Sequence, residues 1–315
     1  MPSTLVIYNP VAGRGRVQAQ WPLVEEALRQ VGLEFEAVAT RAPLEAMKLA
    51  TEAPQKYSSV VSVGGDGTTH EIVNGLMRAS GEAETIATGI VPLGNGDDFV
   101  KIIPPETPIG SRPPDWRVAV QKIARGQTTL FDVGRIVSDH CRPDLGSGPH
   151  YFMNSMDIGF GAQAAQSFTT IPKYLKGMSA YLAAIFQTMI DYPDLHVRLQ
   201  LDDQPAFDQR TTMTVVMNGR CFANGFWVCP DARADDGLFD LMVSENVGRL
   251  TILRLLPKLM KGTHLDEPIV HMHQARRVVI DSHQPLIVET DGEIPYLEAQ
   301  HLELEILHKR LRVFV

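Results

Sequence analysis

Three short glycine-rich segments carry the residues best suited to chemistry. They are Asn9-Pro10-Val11-Ala12-Gly13, Gly64-Gly65-Asp66-Gly67-Thr68 and Pro92-Leu93-Gly94-Asn95-Gly96-Asp97-Asp98-Phe99. Each follows a short apolar run. Glycines in such places let backbone N–H groups approach phosphate oxygens, and a following helix adds its positive N-terminal dipole. Asp66 and Asp98 would then sit among phosphates, an arrangement that makes sense with Mg²⁺ between carboxylate and phosphate. Neither G-x-x-x-x-G-K-[ST] nor a strand-end G-x-G-x-x-G is present. One such loop alone reads as a tight turn; three with matched acids argue for a single anion site.

The elements that must position these loops follow from hydrophobic periodicity. Strands are expected at 5–8, 35–39, 59–63 and 86–91. Helices are expected at 17–31, 43–53 and 69–79, the first from Trp21, Val24, Ala27, Leu28 and Val31 at helical spacing and stopped by Gly32. Strand and helix alternating in this way implies βαβ units and a parallel sheet, whose ligands bind beyond the carboxyl ends of the strands. After residue 130 the pattern changes to short strands near 130–137, 151–157, 196–201, 211–218, 238–243, 278–281, 286–289 and 302–307, interrupted by helices near 173–191 and 248–261. That spacing suggests an antiparallel sandwich or barrel. The expected fold is therefore an α/β domain with a parallel sheet over 1–130, followed by an antiparallel β-rich sandwich over 131–307. Residues 138–149 read as an exposed hairpin loop.

Composition excludes several functions. The chain has 315 residues, 44% apolar and 21% charged, with 29 basic against 37 acidic residues and a net charge of −8. An acidic chain lacks the Lys/Arg field that nucleic acid requires, so no nucleic-acid partner is expected. Cys141, Cys221 and Cys229 form no C-x-x-C pair. That argues against a disulfide framework or a cysteine zinc site and fits a reducing, cytoplasmic setting. The N-terminus has no basic n-region and long apolar h-region, and no apolar run reaches the ~18 residues needed to cross a bilayer. Any membrane encounter is expected at the surface.

In order along the chain, Val6-Ile7-Tyr8-Asn9-Pro10 with Gly13, Gly64-Gly65-Asp66-Gly67-Thr68 with Glu71 and Asn74-Gly75, and Pro92-x-Gly94 with Asp98-Phe99 are followed by two further stretches. These are Pro230-Asp231-Ala232-Arg233-Ala234-Asp235-Asp236-Gly237-Leu238 and Asp291-Gly292-Glu293. On these five motifs the chain resembles the diacylglycerol kinase-type lipid kinases: bacterial diacylglycerol kinases, related lipid kinases and sphingosine kinases. NAD kinases are more distant relatives that share the Gly-Gly-Asp-Gly-Thr loop. The resemblance implies an ATP-binding α/β domain, a β-sandwich lipid-binding domain, and a C-terminal tail, here 308–315, returning to the first domain. It implies ATP as phosphate donor, Mg²⁺ as cofactor, a lipid hydroxyl at a membrane surface as acceptor, and a homodimer. Nucleotide contacts carry over to Asn9, Pro10, Val11, Ala12, Gly13, Thr40, Gly65, Asp66, Gly67, Thr68, Thr69, His70, Glu71 and Asn95. Glu293 carries over as the catalytic base, with Asp66 and Asp98 as Mg²⁺ or water-network residues. Arg233, Asp236 and Leu238 resemble a second, structural Mg²⁺ site. The third loop departs from the family's G-T-x-N-D-F: Asn95 replaces Thr and Asp97 replaces Asn. Two alternative functions are an NAD kinase-like small-molecule kinase and a catalytically silent nucleotide- or lipid-binding module.

Other candidates rank lower. His271 and His273 share a strand face without a third ligand in view. Ser155 and Asp157 lack the G-x-S-x-G elbow of a hydrolase. Tyr174, Tyr181 and Phe186 are expected in the core or an acyl pocket. Residues 249–262 form a basic amphipathic stretch carrying Arg254, Lys258 and Lys261, suited to a membrane interface, with Pro257 expected to interrupt it.

Overall fold

The computed structural model describes all residues except 1–2, 102, 104–107, 146–147, 169, 172–174, 176–177, 191, 193 and 224, and omits the side chains of 178, 180 and 181. Two units result. The first comprises Met1–Val133, Ala234–Asp236 and Leu307–Val315; the second comprises Gly134–Arg233 and Gly237–Ile306. The chain thus leaves the first unit at 133/134, revisits it for three residues, and ends in it.

In the first unit, β1 (Thr4–Tyr8), α1 (Ala12–Gln30), β2 (Phe35–Ala39), α2 (Glu45–Glu52), β3 (Ser59–Gly64), α3 (Asp66–Ser80) and β4 (Ala87–Pro92) alternate. The short α4 (Asp98–Lys101) and α5 (Trp116–Arg125) follow. The strands are parallel in the order β2-β1-β3-β4. All six residues of β3 are buried, as expected of a strand covered on both faces. Val17, Val24 and Leu28 of α1 join Trp116, Val120 and Ile123 of α5 in one core. Ala46 and Ala50 of α2 join Ile72 and Leu76 of α3 in another. Strand order reverses between β1 and β3, the place where open α/β sheets bind ligands. Near the C-terminus Val313 pairs with Thr88 in parallel.

The second unit takes over along β5 (Thr128–Ser138). It continues with β6 (His150–Phe152), β7 (Ser155–Gly159), α6 (Phe160–Phe168), α7 (Met178–Thr188), β8 (Leu195–Leu201), β9 (Phe207–Thr211), β10 (Met213–Met217) and β11 (Phe239–Ser244). The helix α8 (Arg249–Lys261) precedes β12 (Val270–Ala275), β13 (Arg277–Thr290) and β14 (Glu293–Phe314). The strands run β12-β11-β10-β7-β13-β14, antiparallel, and β8 joins β13 to β9. Alternation of buried and exposed residues in β8 places Leu195, Val197, Leu199 and Leu201 in the core.

Three expectations need correction. The strand expected at 151–157 is two, because the N–H groups of Met153, Asn154 and Ser155 turn in to the Asp291 carboxylate. The strands expected at 278–281 and 286–289 are one, with shifted register between Asp281 and Leu286. Pro257 lies inside α8 without ending it; the lost bond is one among a helix held by packing of Ile252 and Leu255. The basic face expected on α8 is present, with Arg254 and Lys258 both paired to Glu267 from the following turn.

Candidate functional site

The three glycine loops converge in the first unit, and their glycines are what permits it. Asn9 Nδ2 donates to Thr68 Oγ1 at 3.1 Å, tying the first loop to the second. Arg16 Nη1 donates to Gly94 O at 2.8 Å, and Gly13, at φ +58°, packs on the Leu93 carbonyl where a side chain has no room. Gly65 lies against Gly94 so closely that a Cβ on it would sit 2.8 Å from Gly94 Cα. Asp66 opens α3 and binds the third loop: its Oδ2 accepts from Asp97 N at 2.6 Å and its Oδ1 from Asp98 N at 2.8 Å. Asp97 in turn accepts from Gly94 N at 3.1 Å. Asp97 adopts φ +51°, a left-handed conformation that Asp and Asn tolerate, so one of the two residues that depart from the family pattern closes the loop on itself.

Charge in this cluster is mostly negative. Burial of the Asp66 carboxyl, then the charges of Asp98 and Asp97, push it up to about 8 against the pull of two amide N–H groups. Burial raises Asp97 to about 6, against the pull of the Gly94 amide. Lys101 Nζ contacts Asp98 Oδ1 at 2.6 Å and both side chains are shielded from solvent. A Cβ added at Gly96 would meet Asp66 Oδ2 at 2.7 Å and Asp98 Oδ2 at 3.3 Å, so both carboxylates border the small space that glycine leaves open. Two hard oxygen donors with excess negative charge suit Mg²⁺, which takes one or two carboxylates and completes its shell with water and substrate phosphate. Among the described residues no cluster of three or more His, Cys, Asp or Glu side chains forms a metal cage.

The other expected nucleotide residues fall into two groups. Asn9, Pro10, Ala12, Gly13, Thr40, Gly65 and Gly67 are half-exposed around the loops, Asp66 is half-exposed with its carboxyl turned in to the third loop, and Val11 and Asn95 are exposed. Thr68, Thr69 and His70 are buried; Thr69 Oγ1 lies 3.0 Å from Ser62 Oγ on β3. Glu71 is occupied at α2, accepting from Leu44 N at 3.0 Å and Ala46 N at 3.1 Å. Of the second cation set, Arg233 and Leu238 belong to the second unit and Asp236 to the first.

In the second unit, β13 and β14 are joined by Asp291 and Gly292, with φ +51° and +92°, the pair of positive values that a two-residue hairpin turn demands. Glu293 follows, exposed at the first position of β14. Asp291 anchors the turn through the three amides noted above, at 2.8, 2.9 and 3.0 Å, and Glu289 Oε1 accepts from Gly292 N. Arg142 approaches the same turn, its Nη1 donating to Ile294 O at 3.1 Å and its N to Pro295 O at 3.2 Å. The bond to Asp144 is the chief cause that raises its guanidinium, and the Glu293 charge adds to it. Arg142 and Glu289 carry no local motif, which is why periodicity and spacing missed them. Asp132 was missed likewise; it is fully buried and accepts from Lys309 N at 2.7 Å.

Beneath α8 the second unit holds an apolar cavity of about 70 Å³, lined by Phe160, Met213, Phe226, Met242 and Leu256 among others, with Thr212, Ser244 and His264 as its polar members. Phe186 is exposed and is not among the lining residues; Tyr174 and the Tyr181 side chain lie outside the described residues. His271 and His273 sit on β12, and His271 Nε2 is 3.2 Å from Glu245 Oε1. No helix among the described residues is long and apolar enough to cross a membrane.

Two family models match the chain in tandem. Residues 3–136 match the diacylglycerol kinase catalytic domain, and residues 154–315 match the YegS C-terminal NAD kinase beta sandwich-like domain. Among curated proteins, a diacylglycerol kinase of Staphylococcus saprophyticus is 27% identical over 292 residues, covering 91% of this chain and 88% of that protein. A diacylglycerol kinase of Bacillus subtilis is 25% identical over 291 residues, with the same coverage of 91% and 88%. A crystal structure of a diacylglycerol kinase from Bacillus anthracis str. Sterne has the same fold, with TM-score 0.70 at 20% identity over 99% of this chain and 96% of that one.

Proposed function

Since the chain belongs to the diacylglycerol kinase family, we propose that it is an ATP-dependent lipid kinase that transfers the γ-phosphoryl group to the hydroxyl of a diacylglycerol-like lipid. The observation that carries this reading is the mutual closure of three glycine loops around Asp66, which leaves backbone and carboxylate groups together at the carboxyl end of a parallel sheet. Phosphoryl transfer asks the protein mainly to position reactants and neutralise spreading charge. Asn9–Gly13, Gly65–Thr68 and Asn95 would line the phosphates. Asp66 and Asp98 would hold Mg²⁺, which when bound supplies charge neutralisation at the phosphate oxygens. Glu293 would accept the acceptor's proton, and the apolar lining of the second unit's cavity would meet an acyl chain. A transfer assay with γ-labelled ATP against diacylglycerol, sphingoid base, ceramide, phosphatidylglycerol and NAD tests the reading. Label in a lipid is expected, whereas label only in NAD selects the alternative kinase, and no transfer to any acceptor selects a silent module.

Asp97 offers a test of the phosphate site. Asparagine keeps an oxygen for the Gly94 amide and tolerates the left-handed backbone, but removes a negative charge. Asp97→Asn is expected to tighten ATP binding by about 5-fold, the ~1 kcal/mol of one charge interaction near solvent, in calorimetric titration.

For the cavity, Met213→Trp adds bulk to its wall. It should raise KM for a long-chain acceptor about 10-fold and leave a short-chain, monomeric acceptor almost unaffected. Equal effects on both would separate the cavity from the acyl chain.

The membrane encounter draws support from a different set of residues than the sequence suggested. Leu250 at the start of α8 and Ile190 after α7 are 83% and 73% exposed, and Arg249 Nη2 donates to Ile190 O at 2.7 Å, so these two apolar side chains flank one cation. Exposed apolar groups beside a cation suit an anionic bilayer surface. Leu250→Asp with Ile190→Asp is expected to reduce sedimentation with anionic vesicles several-fold while sparing activity on a soluble acceptor. Unchanged sedimentation would sink this docking face.

A further inference from the structure

We propose that Asp157 and Glu289 share one proton and that the protonated pair is a positioning clamp for the turn presenting Glu293. The inference rests on Glu293 being the base. Asp157 on β7 and Glu289 on β13 stand directly opposite each other in an antiparallel ladder, which puts both side chains on one face with their Cβ atoms about 5 Å apart. They are 1% and 3% exposed. Among the described residues the Ala162 amide lies near Asp157 without reaching good hydrogen-bonding geometry, and nothing else pairs with either Asp157 oxygen or with Glu289 Oε2. Two carboxylates this close and this dry cannot both stay ionised; a proton on one makes a charge-assisted O–H···O bond to the other.

The surroundings reinforce the pair rather than relieve it. The neighbouring α6 and β10 contain no ionisable residue. The titratable group that acts on it from the turn is Asp291, an acid, and no cation among the described residues is a cause of either shift. Burial raises Asp157 to about 7 against the Ala162 amide. Burial, then the charges of Asp157 and Asp291, raise Glu289 well above the usual carboxylate range against the Gly292 amide. A Cβ at Gly161 would meet Asp157 Oδ2 at 2.5 Å, so α6 packs its backbone onto the pair and excludes water.

The connection to catalysis is short. Glu289 Oε1 accepts from Gly292 N, one residue before Glu293, while Asp291 secures the other side of the turn. Both pKa values are raised, so the shared proton is kept at neutral pH and lost as pH rises. Its loss puts two charges face to face, drives the carboxylates apart and releases the Gly292 amide. The clamp therefore predicts an alkaline fall in kcat with no matching rise in KM for ATP.

The test compares wild type, Asp157→Asn, Asp157→Leu, Glu289→Gln and Glu293→Gln. Asp157→Asn keeps a donor to Glu289 at every pH, so the alkaline fall in kcat should disappear. Asp157→Leu leaves Glu289 without its carboxyl partner and should lower kcat at least 10-fold at all pH, ATP affinity being unchanged. The wild-type infrared carbonyl band of protonated carboxyls at neutral pH should lose the same component in both Asp157→Asn and Glu289→Gln, Asp66 accounting for what remains, and lose none of it in Glu293→Gln. An alkaline fall that survives in Asp157→Asn, or a band untouched by both substitutions, overturns the clamp even if Glu293→Gln is inactive. If Glu293→Gln turns over normally, the base reading itself fails and the clamp's catalytic role goes with it, whatever the band shows.

Discussion

Gly65→Val is expected to abolish measurable ATP binding, with Kd raised at least about 100-fold, while the chain stays folded. The reason is spatial. Gly65 has φ −113° and ψ −168°, an extended conformation that valine adopts readily, so the backbone is not strained. The obstacle is Gly94: a Cβ at 65 would sit 2.8 Å from its Cα, and valine adds two methyl groups beyond that point. The second and third loops must separate, and with them go the contacts of Asp66 with the amides of Asp97 and Asp98. Those contacts shape the phosphate site but lie outside the apolar cores formed by α1 with α5 and by α2 with α3. Far-ultraviolet circular dichroism and thermal melting should therefore stay close to wild type. Calorimetry is the deciding measurement, and unchanged ATP affinity would remove the loops from nucleotide binding.

Loop glycines were legible in the sequence because their chemistry is local: spacing and the following helix are enough to nominate Gly65 and Asp66. The partner that makes Gly65 necessary was not, since Gly94 lies twenty-nine residues away by number (94 − 65) and only the β3–β4 register brings it close. The parallel sheet was likewise readable from alternating periods, as was the β-rich character of the second half. Strand boundaries failed where tertiary contacts overrode local pattern. Residues 151–157 look like one strand by apolar content, yet Asp291 captures the amides at 153–155 and breaks it. Helix α6 was missed because Phe160–Phe168 is short, rich in Ala and Gln, and amphipathic only against the sheet it covers. Pro257 was read too strongly, because a single missing bond does not end a helix whose buried face is packed. Buried pairs such as Asp157 with Glu289 leave no signal in one sequence, since only strand register makes them neighbours.

Glu293→Gln is expected to lower kcat by about 10²–10⁴-fold, the span of a lost general base, and to leave ATP affinity within about 2-fold of wild type. Glutamine has nearly the same shape, so the turn should hold: its anchors are the Asp291 carboxylate on three amides and Glu289 on Gly292, neither of which uses the Glu293 side chain. Exposure of Glu293 also means that its neutralisation buries no unpaired group. A pure base has a further signature. Its loss should fall on kcat and on kcat/KM for the lipid alike, because the interaction is made as the hydroxyl proton leaves. A KM effect alone would instead make Glu293 a residue that binds the acceptor. Arg142 sharpens the distinction, since its backbone N–H and Nη1 both hold the start of β14. Arg142→Lys keeps a positive charge near Glu293 but cannot reproduce the fork that also binds Asp144. If the base must be held in place to act, Arg142→Lys reproduces part of the kcat loss in the wild-type background and adds nothing in Glu293→Gln. Independent, additive losses in the double variant would show the two residues acting on different steps, and near-normal turnover in Glu293→Gln would take the proton-accepting role away from this turn.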